Sequence, residues 1–383
     1  MAAQDPGELY SPEPNILERK AAEYLARMSG ASADDAGPGR IEAGATKSAT
    51  CWAVGLAALA GIISGGMMGG MEIWIREVPL GGEENGDWQE ALPWWLGFFA
   101  VAGVISAIEI AFLYYLAIRG IAQVTGPTGL ALGGAGYPGL HASSLARGAL
   151  EFPNPRVTIF GIDPYAYVPG WQLLAKNIAY KMKVGVSSFL MRVFLRRVAA
   201  RVAIRGMVPL FAGPLYAAWN AIIIWRIMRE GRVRSLGPFA VERVLGELFE
   251  DGAPARDVGE VLLQGAAEMI MRGRDAHGNH VLIVFRLREI LGMTEDLRSD
   301  WRAEAGKVKK LDDAGRARLV DLLALTALVG SSIRRGQRRM LAEVCEAIGT
   351  GFDPAGLKDL RERLLAGEEV GRKELAVLRG GAR

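Results

Sequence analysis

Cysteine is nearly absent: Cys51 and Cys345 are the only two among 383 residues, far apart and in unlike surroundings. That excludes a disulfide framework, and it excludes a zinc site made of four thiolates or of paired cysteines and histidines. Both cysteines read as small apolar residues. A Walker A phosphate loop, a serine-hydrolase elbow and a His-Glu-x-x-His helix are also missing, so the sequence shows no catalytic motif and no cofactor site. "GPTGLALGGAGYPGL" does contain a G-x-G-x-x-G at Gly134, Gly136 and Gly139, but Pro138 interrupts it. A dinucleotide fingerprint needs a strand before the glycines and a helix opening after them, so this stretch reads as a loop. The first residues, "MAAQDPGELYSPEPNILERK", lack the basic and then apolar order of a secretory leader. The net charge of +3 is too small to suggest nucleic acid; its distribution along the chain is the informative part.

What the chain has instead is long uncharged runs. Ser48 to Met71 carries no charge over 24 residues, and Ala91 to Ile118 carries only Glu109. At about 1.5 Å per helical residue, each crosses a hydrocarbon core of roughly 30 Å. Residues 48–119 therefore read as a two-helix transmembrane hairpin. Its loop, Glu72 to Glu90, holds six acids against Arg76, whereas residues 176–205 hold eight Lys or Arg and no acid. Basic segments stay in the cytoplasm, which puts the loop outside, with Trp74, Trp94 and Trp95 at the outer interface, and both chain ends inside. Ala57, Gly61, Gly65 and Gly69 recur every four residues and give one face almost no bulk, so another helix can approach closely; the expected partner is the second span, or a second copy of the chain. Glu109 falls near the bilayer midplane, where an ionisable group is costly and marks a functional candidate.

Residues 120–175 form a Gly/Pro-rich connector. Met191, Phe194, Leu195, Val198 and Val202 then follow one helical face, with Arg197, Arg201 and Arg205 on another. A basic amphipathic helix of that kind lies on an anionic lipid surface. The next segment, Met207 to Trp225, has 19 uncharged residues but holds Pro209, Pro214 and Asn220 and is flanked by arginines. It reads as a helix dipping into the cytoplasmic leaflet or packing in an apolar core, in preference to a third crossing. Over residues 145–238 this pattern resembles the EcsC-type bacterial membrane-associated proteins, with Pro209, Gly213 and Asn220 at the matching positions. That resemblance implies membrane association and no enzymatic role.

From Gly237 on, no run is long enough to span and charge is dense and mixed, which predicts a soluble helical domain. Helices are expected over Val241–Phe249, Val258–Met271, Arg316–Val329, Arg338–Ile348 and Ala355–Leu365. "DAHGNH" reads as a turn, and its Asp275, His277 and His280 are explained by turn geometry without a metal. "HVLIVFRL" suits either a helix or a strand. Residues 316–365 resemble the TerB-like helical fold, but Gly330, Ser331 and Gln337 stand where that family carries Asp-Gly and Glu, so the resemblance implies a fold and an interaction role and no metal.

Residues 1–47 read as a mostly disordered arm around one short helix, Asn15 to Met28. The expectation is an all-α protein of the bacterial inner membrane: arm (1–47), hairpin (48–119), connector (120–175), EcsC-like helices (176–236) and soluble domain (237–383). Its expected role is a non-enzymatic adaptor or regulator in envelope or stress physiology. Anionic lipids, a possible second copy and an unidentified protein partner of the C-terminal domain would bind it. The alternative is an oligomeric channel or transporter component with Glu109, and Asn220 as a second membrane-embedded candidate, in its path.

Overall fold

The computed structural model describes residues 6–30, 43–77, 88–130, 132, 137–175, 208–297 and 300–380. The protein is all-α, 76 % helical, and has no strand among the described residues beyond an isolated bridge between Ile159 and Ile162. Its main helices are α1 (Pro6–Tyr10), α2 (Ile16–Gly30), α3 (Ala43–Glu77), α4 (Trp88–Thr125), α5 (Pro138–Ala149) and α6 (Val208–Leu248). They continue with α7 (Arg256–Gly273), α8 (Gly278–Leu291), α9 (Trp301–Ala305), α10 (Asp313–Leu328), α11 (Arg335–Ala347), α12 (Pro354–Leu365) and α13 (Arg372–Ala376). The chain forms two compact units: a hairpin unit of residues 48–120 and 170–228, and a main unit of residues 1–47, 121–169 and 229–383.

Thr46–Met71 and Ala100–Thr128, most of which belong to the hairpin unit, are long and apolar enough to cross a membrane, and only 33 % and 22 % of their most apolar windows are buried. A core helix of a soluble protein would hide its apolar side chains; these turn them outward. Fifteen of the twenty exposed large hydrophobic side chains among the described residues belong to this unit, including Leu59, Ile63, Val104, Ile108 and Trp225. Outward apolar surface on that scale suits lipid rather than water.

The face made by Ala57, Gly61, Gly65 and Gly69 is buried, but the nearest neighbours of Gly61 and Gly65 are on α6 and not on the second span. A Cβ on Gly61 would lie 2.5 Å from the backbone carbon of Tyr216, and one on Gly65 would lie 2.8 Å from the Gly213 Cα. Position 65 beside 213 and 61 beside 216 make α6 antiparallel to α3. From Val208 on, the apolar segment is thus the start of a 41-residue helix that packs against α3. Pro209 sits in its first turn, where no backbone donor is needed, and the helix continues through Pro214. The predicted basic helix with Arg197, Arg201 and Arg205, the loop residues 78–87, and Gly134 and Gly136 lie outside the described residues, as do the side chains of Trp74, Trp94 and Trp95.

The main unit is built around α10, whose residues Leu319 to Leu328 are all buried under α7, α11, α12 and α13. It is discontinuous in sequence and takes in α1, α2 and α5 as well as residues 237–383. The N-terminal arm is accordingly not all loose: α1 and α2 pack on α5, with Tyr10 and Leu25 fully buried. Buried Glu18 accepts from Ser11 Oγ and Arg147 Nε, both at 2.8 Å. "HVLIVFRL" is helical, inside α8. Its start is fixed by His277, whose Nδ1 accepts from the Asn279 backbone N–H at 3.1 Å, so the turn ends at His277 and not at His280. Its end is fixed by Gly292 at φ +62°, the left-handed cap conformation that glycine adopts without strain. Val281 to Val284 are buried on every side, which is why β-branched residues sit in a helix here: packing overrides propensity.

Candidate functional site

Within the hairpin unit, the structure joins the two membrane-embedded candidates. Asn220 Nδ2 on α6 donates to Glu109 Oε1 on α4 at 2.7 Å, across 111 residues of sequence. Both side chains are buried, at 3 % and 7 % exposure. The second carboxyl oxygen, Glu109 Oε2, is buried with no hydrogen-bond partner among the described residues, as is the Trp219 indole N–H. A buried polar atom without a partner is expensive, so at Glu109 and at Trp219 polarity is kept at a cost. Ser106 and Ser64, by contrast, satisfy their hydroxyls on the backbone carbonyls of Ala102 and Gly61.

The main unit contains a second polar concentration, centred on Arg234 of α6, which is 4 % exposed. Its guanidinium donates to the Ser144 carbonyl and hydroxyl, both at 2.8 Å, to Asn154 Oδ1 at 2.9 Å and to Tyr10 OH at 3.3 Å. Glu230, one turn earlier, pairs with it at 2.8 Å. Asn154 in turn donates to Asp275 Oδ1 at 2.7 Å. The Ser331 hydroxyl lies 3.0 Å from Glu230 Oε1 and 2.8 Å from Asp275 Oδ2, and the His277 ring nitrogen Nε2 lies 3.2 Å from Glu230. Five stretches of chain far apart in sequence meet in this cluster.

Electrostatics follows from that packing. Burial alone would raise the Glu230 carboxyl, but the Arg234 guanidinium and His277 outweigh it and hold it well below the usual carboxylate range. Burial also works against the Arg234 charge, yet Tyr10 and Glu230 keep it firmly protonated. Burial, reinforced by Arg234, lowers His277, and burial pushes His280 down to about 4. Both imidazoles are therefore neutral near pH 7. His280 places its two ring nitrogens against the carbonyls of Asp275 and Thr326. Among the described residues no group of three or more His, Cys, Asp or Glu is arranged to hold a metal ion. Arg234, Glu230, Asn154, Asp275 and Ser331 are joined by these contacts, whereas the buried His277 Nε2 has no hydrogen-bond partner among the described residues.

The positions marked by the two resemblances have definite structural duties. Gly213 abuts Gly65, and Asn220 holds Glu109. Gly330 lies under the His280 ring, Ser331 joins the Arg234 cluster, and Gln337 accepts from the Arg334 N–H at 2.9 Å and donates to the Met269 carbonyl at 3.3 Å. Sequence reading missed Glu230 and Arg234. The available signal was phase: Ile224, Ile227, Met228, Gly231, Arg234, Ser235 and Val241 share the buried stripe of α6, so Arg234 is a charge at an apolar position. The chain matches no protein-family model, no curated protein and no solved structure.

Proposed function

We propose that this protein is a non-enzymatic, membrane-anchored adaptor or regulator of the bacterial inner membrane, with a cytoplasmic helical unit that engages a partner protein. The observation that carries the reading is the division of surfaces: one unit turns large apolar side chains outward along two helices of spanning length, and the other is a compact helical body whose buried charges are closed on one another. Residues 1–47, 121–169 and 229–383 belong to one compact unit, so they share one side of any membrane that α3 and α4 cross. The acidic loop and the basic residues 176–205 favour the cytoplasm for that side. A reporter fused after Arg383 tests the topology, and a periplasmic signal there refutes it. Affinity capture must use the full chain, because a fragment starting at residue 238 loses Arg234, Glu230 and Tyr10. Recovery of one stoichiometric partner supports an adaptor, and its repeated absence counts against one.

The unpartnered oxygen of Glu109 favours a second reading, a channel or transporter component with the Glu109–Asn220 pair in its path. Ion flux into liposomes that is abolished by Glu109→Gln would replace the adaptor reading with this one.

A further inference from the structure

The first turns of α11 carry Arg334, Arg335, Arg338 and Arg339, all exposed, and no acid stands in the first turn. Arg339 pairs with Glu343 at 2.8 Å; Arg334, Arg335 and Arg338 have no carboxylate within ion-pair distance among the described residues. These charges do not serve the helix. The N-terminal end of a helix is already positive, so added cations there are unfavourable, and an anion outside the unit is the natural complement.

Where this turn lies says which anion. The chain passes between the main unit and the hairpin unit at four places: after Lys47, before Ile121, after Pro169 and before Arg229. Inside the main unit, three of these exits converge. The Thr46 carbonyl accepts from Arg232 Nη2 at 2.9 Å, Ile121 packs against Gly231, and Glu230 is the residue that Ser331 reaches at 3.0 Å, three positions before Arg334. The fourth exit is linked to the same turn through Glu268 and Arg272. Tyr167 donates to Glu268 at 2.9 Å, Arg272 donates to Glu268 at 2.7 Å, and a Cβ on Gly336 would touch the Arg272 side chain at 3.4 Å. The turn that carries the α11 arginines is thus linked, within the main unit, to the segments at which the chain leaves that unit.

We propose that Arg334, Arg335 and Arg338 are a contact surface for the anionic phospholipid headgroups of the membrane that α3 and α4 span. The proposal rests on the reading of those helices as membrane spans, and it adds a lipid contact in the C-terminal region that the apolar helices do not supply. Each basic side chain near an anionic surface favours contact by about fivefold, so three give about a hundredfold. The attraction falls away as salt shortens the screening length.

The test uses the full chain in nanodiscs of phosphatidylcholine alone or with about one third phosphatidylglycerol. Backbone hydrogen exchange over residues 331–340 should slow about tenfold or more in the anionic discs and return to the neutral-disc rate at 0.5 M salt. The triple variant Arg334→Gln, Arg335→Gln, Arg338→Gln should exchange equally in both discs while the rest of the main unit keeps its protection. Equal exchange of the unmodified protein in both discs overturns the proposal. Extraction of native membranes at alkaline pH separates the two ideas. Release of the protein refutes the spanning helices themselves, whereas retention without lipid-dependent protection refutes only the arginine surface.

Discussion

Alanine at Gly61 should separate α3 from α6, and the size of the effect can be worked from the structure. The added Cβ would lie 2.5 Å from the Tyr216 backbone carbon and 2.6 Å from both the Tyr216 oxygen and the Ala217 nitrogen. Non-bonded carbons prefer about 3.5–4.0 Å, so the helices must part by about 1 Å. All three obstructing atoms are main chain inside a helix, so no side-chain rotation relieves them. A gap of that size forfeits a quarter to a half of each contact along the seam, and overpacking costs about 1–3 kcal/mol. Gly66 and Gly70 provide the control: nothing lies within 4 Å of a Cβ at either. Alanine there should be neutral, or stabilising by up to about 1 kcal/mol from helix propensity. The predicted difference between Gly61→Ala and Gly66→Ala is therefore about 1–4 kcal/mol. Reversible unfolding of the full chain in mixed micelles, driven by rising dodecyl sulfate and read by tryptophan fluorescence, measures it. If Gly61→Ala is as harmless as Gly66→Ala, the α3–α6 contact described above is wrong. If the Gly66 and Gly70 variants are the damaging ones, that open face is occupied by a second copy.

Two further outcomes follow from the main unit. Arg234→Met strands Glu230 and the Tyr10, Ser144 and Asn154 acceptors, and should cost about 3–5 kcal/mol; adding Glu230→Gln should recover part of that, because the uncompensated charge goes with it, and thermal melting of both variants checks this. The second concerns pH. His280, lowered to about 4 by burial, binds a proton in the unfolded chain and not in the folded one between about pH 4 and 6.5, so it makes stability fall as pH falls through that window. Asp321, fully buried between Arg372 and Arg379, is raised to about 6 because burial outweighs both arginines. It takes up its proton in the folded state first, so its contribution rises as pH falls from 6 toward 4 and partly cancels that of the histidine. Asp321→Asn should remove the cancellation and steepen acid destabilisation by up to about 1.4 kcal/mol per pH unit in that range; an unchanged slope in pH-dependent denaturation would contradict the assignment.

Helices whose pattern is complete within one segment were legible without tertiary information. The i, i+3, i+4, i+7 spacing of Leu341, Val344, Cys345 and Ile348 marks α11, and charge-free runs mark the two spanning-length helices, because burial in core or lipid imposes that periodicity locally. Glu109 and Asn220 each stood out for the same reason, a polar group in an apolar run. What no local pattern contained was who meets whom. That Glu109 finds Asn220, that Gly61 and Gly65 receive α6 instead of the second span, and that Tyr10, Asn154 and Asp275 converge on Arg234 are all contacts between residues far apart in sequence. Their energies depend on three-dimensional approach, and a glycine row or a buried arginine is compatible with several partners until the backbones are placed. Composition and spacing settled the all-α class and the presence of spanning-length helices, since both follow from hydrogen bonding and hydrophobicity along the chain. Only the tertiary structure decided which polar groups are closed on one another, which carboxyl oxygen is left without a partner, and which face of the main unit presents its arginines, because each is a matter of what lies across an interface.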